Sequence, residues 1–229
     1  MPYIFSNAKD GRLTSFFPIG AALLSAPLYL AFDAQLHATR HPVDITSIDF
    51  ERLRLHYEKQ AANVIAALAA VLLFFSAHRI GGPWQAIVVT VFFVAGTDMW
   101  TLGSQALWQH GSVNLTVLAL IYALISAVDA PTPKRALGRL FVAGVCAGFL
   151  PVIRPTAVIF LIAGAAFAAW EFRWRAPIFA AGVVCGLAPG IAWNEVFFGT
   201  LGGGYQPMFS SYSLTFGQFV GAFPGLLLS

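Results

Sequence analysis

The chain has 229 residues, of which 58% are hydrophobic and only 10% charged, and it carries a formal net charge of +3. A soluble domain carries about 25% charged residues because its surface faces water, so a soluble globular domain is excluded, and no basic run with interleaved aromatics points to nucleic acid. The apolar stretches run for about 15 to 20 residues without alternation, which suits helices crossing about 30 Å of hydrocarbon and not the strands of a membrane barrel. The expected fold class is all-α: a polytopic transmembrane helix bundle of six spans plus one interfacial or short transmembrane helix.

In chain order, Lys9 and Arg12 precede an apolar run in the manner of a signal sequence, although Ser25-Ala26-Pro27 makes a poor cleavage site. That run, Phe16 to Phe32, is short and holds Pro18 and Pro27. It fits a span and a helix lying at the membrane interface equally well. A wet stretch, Asp33 to Gln60, follows with Arg40, Asp44, Asp49, Glu51, Arg52, Arg54, Glu58 and Lys59, and its last part starts the helix that continues as Ala61–Ala77. Further spans are expected at about Pro83–Thr97, Ser112–Val128, Leu137–Ile153, Thr156–Trp170 and Pro177–Phe197. The tail from Gly199 is rich in Gly, Ser, Tyr and Phe and ends in an apolar piece, Phe216 to Ser229, too short and interrupted for a span. The single membrane domain thus divides into an outer-face segment (1–60), a six-span bundle (61–197) and an outer-face tail (198–229).

Basic residues in short loops set the orientation. Arg79, the group Lys134, Arg135 and Arg139, and the pair Arg173 and Arg175 occupy alternate loops, which places these loops in the cytoplasm. The Asp98–Gly111 loop has no Lys or Arg, the Ile153–Thr156 turn has Arg154 alone, and the tail has none; these face outside. Small residues one turn apart, Gly144 with Gly148 and Gly182 with Gly186 and Gly190, predict close helix packing in lipid. Pro189 predicts a kink. Cys146 and Cys185 sit among small neighbours in apolar helices and suggest neither a disulfide nor a metal framework.

Chemistry concentrates at the outer ends. If the stretch Gly96 to Gly111 is helical, Asp98, Gln105 and Gln109 share one face, flanked by Trp100 and Trp108. An aromatic belt over a hydrated loop accounts for this pattern as well as a ligand path does. Arg154, followed by Pro155, lies between two apolar spans. A guanidinium there needs a carboxylate, a phosphate or water: Glu195, a lipid headgroup phosphate and a lipid-linked substrate phosphate are the alternatives. His37, His41 and His56 have no metal-ligand spacing and read as solvated.

An ordered set of elements carries a resemblance: Ser15-Phe16-Phe17-Pro18-Ile19-Gly20-Ala21-Ala22-Leu23-Leu24, Trp100 to Gly111 with its Leu-Trp-Gln-His-Gly ending, Arg154-Pro155-Thr156, and Asn194-Glu195-Val196-Phe197-Phe198-Gly199 leading to Gly204-Tyr205. In this order the chain resembles bacterial polytopic glycosyltransferases of the GT-C class, the dolichyl-phosphate-mannose protein mannosyltransferase-like membrane proteins, over nearly its whole length. The resemblance implies a multi-pass protein of the bacterial inner (cytoplasmic) membrane that transfers a sugar from a polyprenyl-phosphate donor at the outer face. Its partners would be that lipid-linked donor and membrane lipids; no cofactor is expected and no metal-ligating residue is assigned. The family's catalytic acid is an aspartate in the first outer loop. That span and loop have no counterpart here, and family members continue past the position of Ser229, so the expectation is an internal portion of a larger enzyme. Asp98 does not occupy the catalytic position, and no catalytic residue is assigned. Substrate binding is expected from Asp98, Trp100, Gln105, Trp108, Gln109, His110, Arg154 and Tyr205. The rival expectations are a non-catalytic lipid-binding or assembly module and, last, a transporter, which would show internal repeats with broken helices.

Overall fold

The computed structural model describes residues 5–15, 17–39 and 47–205. Apart from two short strands, β1 (Phe5–Asn7) and β2 (Leu13–Ser15), the regular elements are helical: α1 (Gly20–Thr39), α2 (Ile48–Gly81), α3 (Pro83–Gly96), α4 (Gln109–Val128), α5 (Pro133–Ile153), α6 (Val158–Phe172) and α7 (Ala176–Phe198). The apolar piece Phe216 to Ser229, His41, and Arg40 and Asp44 of the wet stretch lie outside the described residues. The chain divides into two compact units, one of residues 18–190 and one of the residues up to Phe17 together with those from Ile191.

Residues 18–190 form the helix bundle. Helices α3 to α7 begin and end close to where apolar composition places them, and two begin on a proline, Pro83 and Pro133, whose missing N–H costs nothing in the first turn. Helix α2 runs well ahead of its apolar part. Ser47 caps it by accepting from the Phe50 N–H at 3.1 Å, and Arg54 bonds Glu51 and Glu58 at spacings of three and four residues, which supports a helix that water surrounds. Four helical stretches are long and apolar enough to cross a membrane, Ile48–Gly81, Gln109–Val128, Pro133–Ile153 and the composite Pro155–Phe198, with Pro83–Gly96 a shorter apolar helix. Outward-facing Phe92 (69% exposed), Ile159 (63%) and Ile162 (60%) leave α3 and α6 with apolar faces that only lipid or a partner can cover.

Helix α4 is the hub, packed against α2 and α5, while α3 lies on α2 and α6 on α5. The main core joins Leu120, Leu124, Leu140, Leu150, Ile153 and Phe179. Helices α5 and α7 run parallel and interlock through glycine. A methyl group on Gly144 or Gly148 would collide with the carbonyl oxygens of Phe179 or Val183, and one on Gly182 or Gly186 with those of Phe141 or Val145. The four glycines therefore let the two backbones touch, as their spacing predicts. Arg173, at φ 44° between α6 and α7, is the one non-glycine residue with positive φ among the described residues.

Two ends of the bundle are chemically distinct. At one, Arg79 closing α2 lies 3.6 Å from Asp129 after α4, and Arg139 donates to the Ser126 carbonyl. At the other, the start of α2 meets the segment before α4, and the start of α4 meets the end of α5. Helix α1 belongs to this second end. A methyl on Gly20 would strike the backbone of Val152 and Ile153, while Phe32 stacks on Tyr57 with centroids 4.8 Å apart. Between Gly20 and Phe32 the helix stays at one end of the bundle, which favours the interfacial alternative over a span.

In the other unit, β1 and β2 pair antiparallel, Ser6 opposite Thr14. The Lys9 N–H donates to the Phe197 carbonyl at 2.7 Å and Lys9 Nζ to the Glu195 carbonyl at 3.0 Å. Gly199 and Gly203 turn the chain at positive φ, and Asn194 Nδ2 holds the turn through the Leu201 carbonyl at 2.8 Å.

Candidate functional site

The stretch Gly96 to Gly111 is not one helix, so Asp98, Gln105 and Gln109 do not form a continuous polar stripe. Thr97 breaks α3, its hydroxyl donating to the Phe93 carbonyl and accepting from the Met99 N–H. Met99–Gly103 then makes a π-helical turn, anchored by buried Met99, whose Sδ accepts from Asn114 Nδ2 at 3.0 Å. A bend follows, and α4 begins at Gln109 with Trp108 as its N-cap residue. A side chain on Gly103 would press on the Met99 thioether. Competition from local side-chain hydrogen bonds thus wins over helix continuation.

This irregular backbone presents most of the expected residues outward. Asp98, Gln105 and His110 are exposed, as are Trp100 and Trp108, and Gln109 is half-buried in the first turn of α4. Gln105 Nε2 donates to the Ser104 hydroxyl at 3.3 Å.

Arg154 ends α5. Its N–H closes the last turn on the Leu150 carbonyl at 3.0 Å, its backbone is extended, and Pro155 starts the short turn that leads into α6. Its guanidinium Nη1 lies 3.0 Å from Nδ1 and 3.3 Å from Nε2 of His110. A guanidinium only donates, so any hydrogen bond between the two side chains is accepted by an imidazole nitrogen. Arg154 is half-buried, and among the described residues of the bundle it has no carboxylate partner to offset its charge. Glu195 and Tyr205 belong to the other unit, Tyr205 within the turn Gly203–Tyr205.

Glu58 is a contributor that the sequence pattern does not single out. Its Oε1 accepts from the Leu107 N–H at 3.3 Å, while its Oε2 receives Arg54 at 3.3 Å. This carboxylate ties the last polar turn of α2 to the segment that carries Trp108, Gln109 and His110. Its placement one turn before Ala61 is the signal that could have found it. Burial first, and then the nearby Glu58 carboxylate, push the Tyr29 hydroxyl above its ordinary pKa, with Arg54 opposing. Tyr29 of α1 therefore stays a neutral hydroxyl beside the same acid.

This end of the bundle carries Arg154 against His110, two exposed indoles, two carboxamides, the exposed Asp98 carboxylate and the Glu58 carboxylate already engaged by two donors. Such a set can bind a phosphate through charge-assisted hydrogen bonds and a polyol through amides and aromatic faces. Comparison with protein-family models, with curated proteins and with solved structures finds no match for this chain, so the functional reading rests on this geometry.

Proposed function

We propose that the chain is a six-pass protein of the bacterial inner membrane that binds a polyprenyl-phosphate-linked sugar at the extracytoplasmic end of its bundle, as part of a GT-C-like glycosyltransferase. The observation that carries this reading is Arg154 held beside His110 with no carboxylate to neutralise it among the described residues of the bundle. Arginine is costly at membrane depth unless it serves an anion, and a lipid phosphate is the anion most available there.

In this reading helices α2 to α7 each cross the bilayer, with the basic loops in the cytoplasm. The donor phosphate meets Arg154, and the charge that grows on it as the glycosidic bond breaks is stabilised by that guanidinium. His110, in contact with the guanidinium, helps to hold it in place. Trp108 stacks on the apolar face of the sugar, and Gln105 and Gln109 hold its hydroxyls. Glu58 keeps the indole-bearing segment in place and is not assigned as the base that would activate an acceptor hydroxyl.

The test is to measure binding of a radiolabelled polyprenyl-phosphate sugar to the purified chain, together with sugar release. Saturable binding that Arg154→Ala weakens about tenfold or more supports the site, and added turnover supports the enzyme. Binding without turnover leaves the donor site standing and removes only catalysis by this chain alone. Equal binding by Arg154→Ala removes the site.

A further inference from the structure

At the end of the bundle opposite His110, a cavity of about 270 Å³ opens between the α4–α5 connection and the junction of α6 and α7; its lining includes Ala130, Thr132, Pro133, Glu171, Phe172 and Arg175. Six cations gather at this end, Arg79, Lys134, Arg135, Arg139, Arg173 and Arg175, against two carboxylates, Asp129 and Glu171. Asp129 is taken by Arg79. Among the described residues Lys134, Arg135, Arg173 and Arg175 make no ion pair, and Arg175 lies over the Trp174 ring at 4.8 Å. Trp84 (74% exposed), Trp170 (82%) and Trp174 (77%) project from the same end, at the level where indoles meet lipid headgroups. Arg173 moreover occupies a left-handed backbone position that glycine would take without strain.

We infer that this cavity is a binding site for the headgroup of an anionic phospholipid, a phosphodiester carrying free hydroxyls. Arg175, with Lys134 and Arg135 on the first turn of α5, supplies the positive field for the phosphate. Glu171 and the Thr132 hydroxyl accept from headgroup hydroxyls. The Glu171 carboxylate also sets the charge preference, because it repels a dianionic monoester more strongly than a singly charged diester. The indole ring fixes the depth. The proposal is independent of what the opposite end binds.

The full chain, solubilised in a neutral detergent, is titrated with short-chain phosphatidylglycerol, short-chain phosphatidylcholine and inorganic phosphate while its unfolding midpoint is recorded. Phosphatidylglycerol is expected to raise the midpoint saturably and with less effect at high salt, and the other two are expected to do little. Combining Lys134→Gln with Arg175→Gln should weaken the apparent affinity about tenfold or more, whereas Arg52→Gln, in the polar start of α2, should leave it unchanged. Equal response to phosphatidylcholine, an equal response to phosphate alone, or full affinity in the double variant would overturn the site. Should the double variant fail to fold, the salt series on the unmodified chain decides: affinity that falls with salt upholds the site, and affinity that ignores salt overturns it.

Discussion

Arg154 and His110 are 44 residues apart in sequence, yet the guanidinium Nη1 rests 3.0 Å from the imidazole Nδ1, joining the end of α5 to the first turn of α4. The contact holds a permanent cation at the mouth of the bundle without cancelling its charge, since an imidazole carries no negative charge. Replacing Arg154 with Lys keeps the charge but loses the planar fork that grips a phosphate. Arg154→Lys should therefore retain part of the donor binding that Arg154→Ala loses, as read by retention of a radiolabelled polyprenyl-phosphate sugar. His110→Ala should lie between them.

Gly144 and Gly186 allow α5 and α7 to meet backbone to backbone. Gly144→Ala and Gly186→Ala each force a methyl into a carbonyl oxygen that cannot retreat, and each should cost about 1–3 kcal/mol or more. Gly138 lies in the same helix as Gly144, with open space where its Cβ would stand, so Gly138→Ala should gain about 0.5–1 kcal/mol. Thermal unfolding of the three variants in detergent checks the contrast.

Glu58 should matter for local order. Glu58→Ala strips the acceptor from the Leu107 N–H, with an expected loss of about 1–3 kcal/mol. Amide exchange of the 104–108 segment should accelerate in that variant. Glu58→Gln keeps a carbonyl oxygen for Leu107 and should accelerate exchange less.

How much of this is legible in the sequence depends on which force shapes each part. Helix ends set by the change from apolar to polar are legible: composition predicts Pro83–Thr97 where the helix is Pro83–Gly96, and Pro177–Phe197 where it is Ala176–Phe198. Hydropathy starts α5 at Leu137 and the helix starts at Pro133, because its charged first turn carries a capping signal, Thr132 and Pro133, and no hydropathy signal. That α2 starts ahead of Ala61 is legible, but its full reach back to Ile48 is not, because the Ser47 cap and the Arg54 ion pairs that support it carry no hydropathy signal. The three-residue strands of the hairpin are too short for alternation to register. At the candidate site, the helical face through Asp98, Gln105 and Gln109 fails because Thr97 ends α3 and a π-helical turn and a bend follow before α4. The meeting of His110 and Arg154 follows from which helix ends share a side, which the distribution of basic loops indicates.

The decisive measurement is the sidedness of His110 and Arg154 relative to the basic loops. With Cys146 and Cys185 replaced by Ala, His110→Cys, Arg154→Cys, Lys134→Cys and Arg175→Cys are labelled in intact cells by a membrane-impermeant maleimide. The account predicts that the cysteines at 110 and 154 react from outside, and that those at 134 and 175 react only after the membrane is opened. Labelling of 110 and 154 from opposite compartments, or of both from the cytoplasm alone, would contradict it.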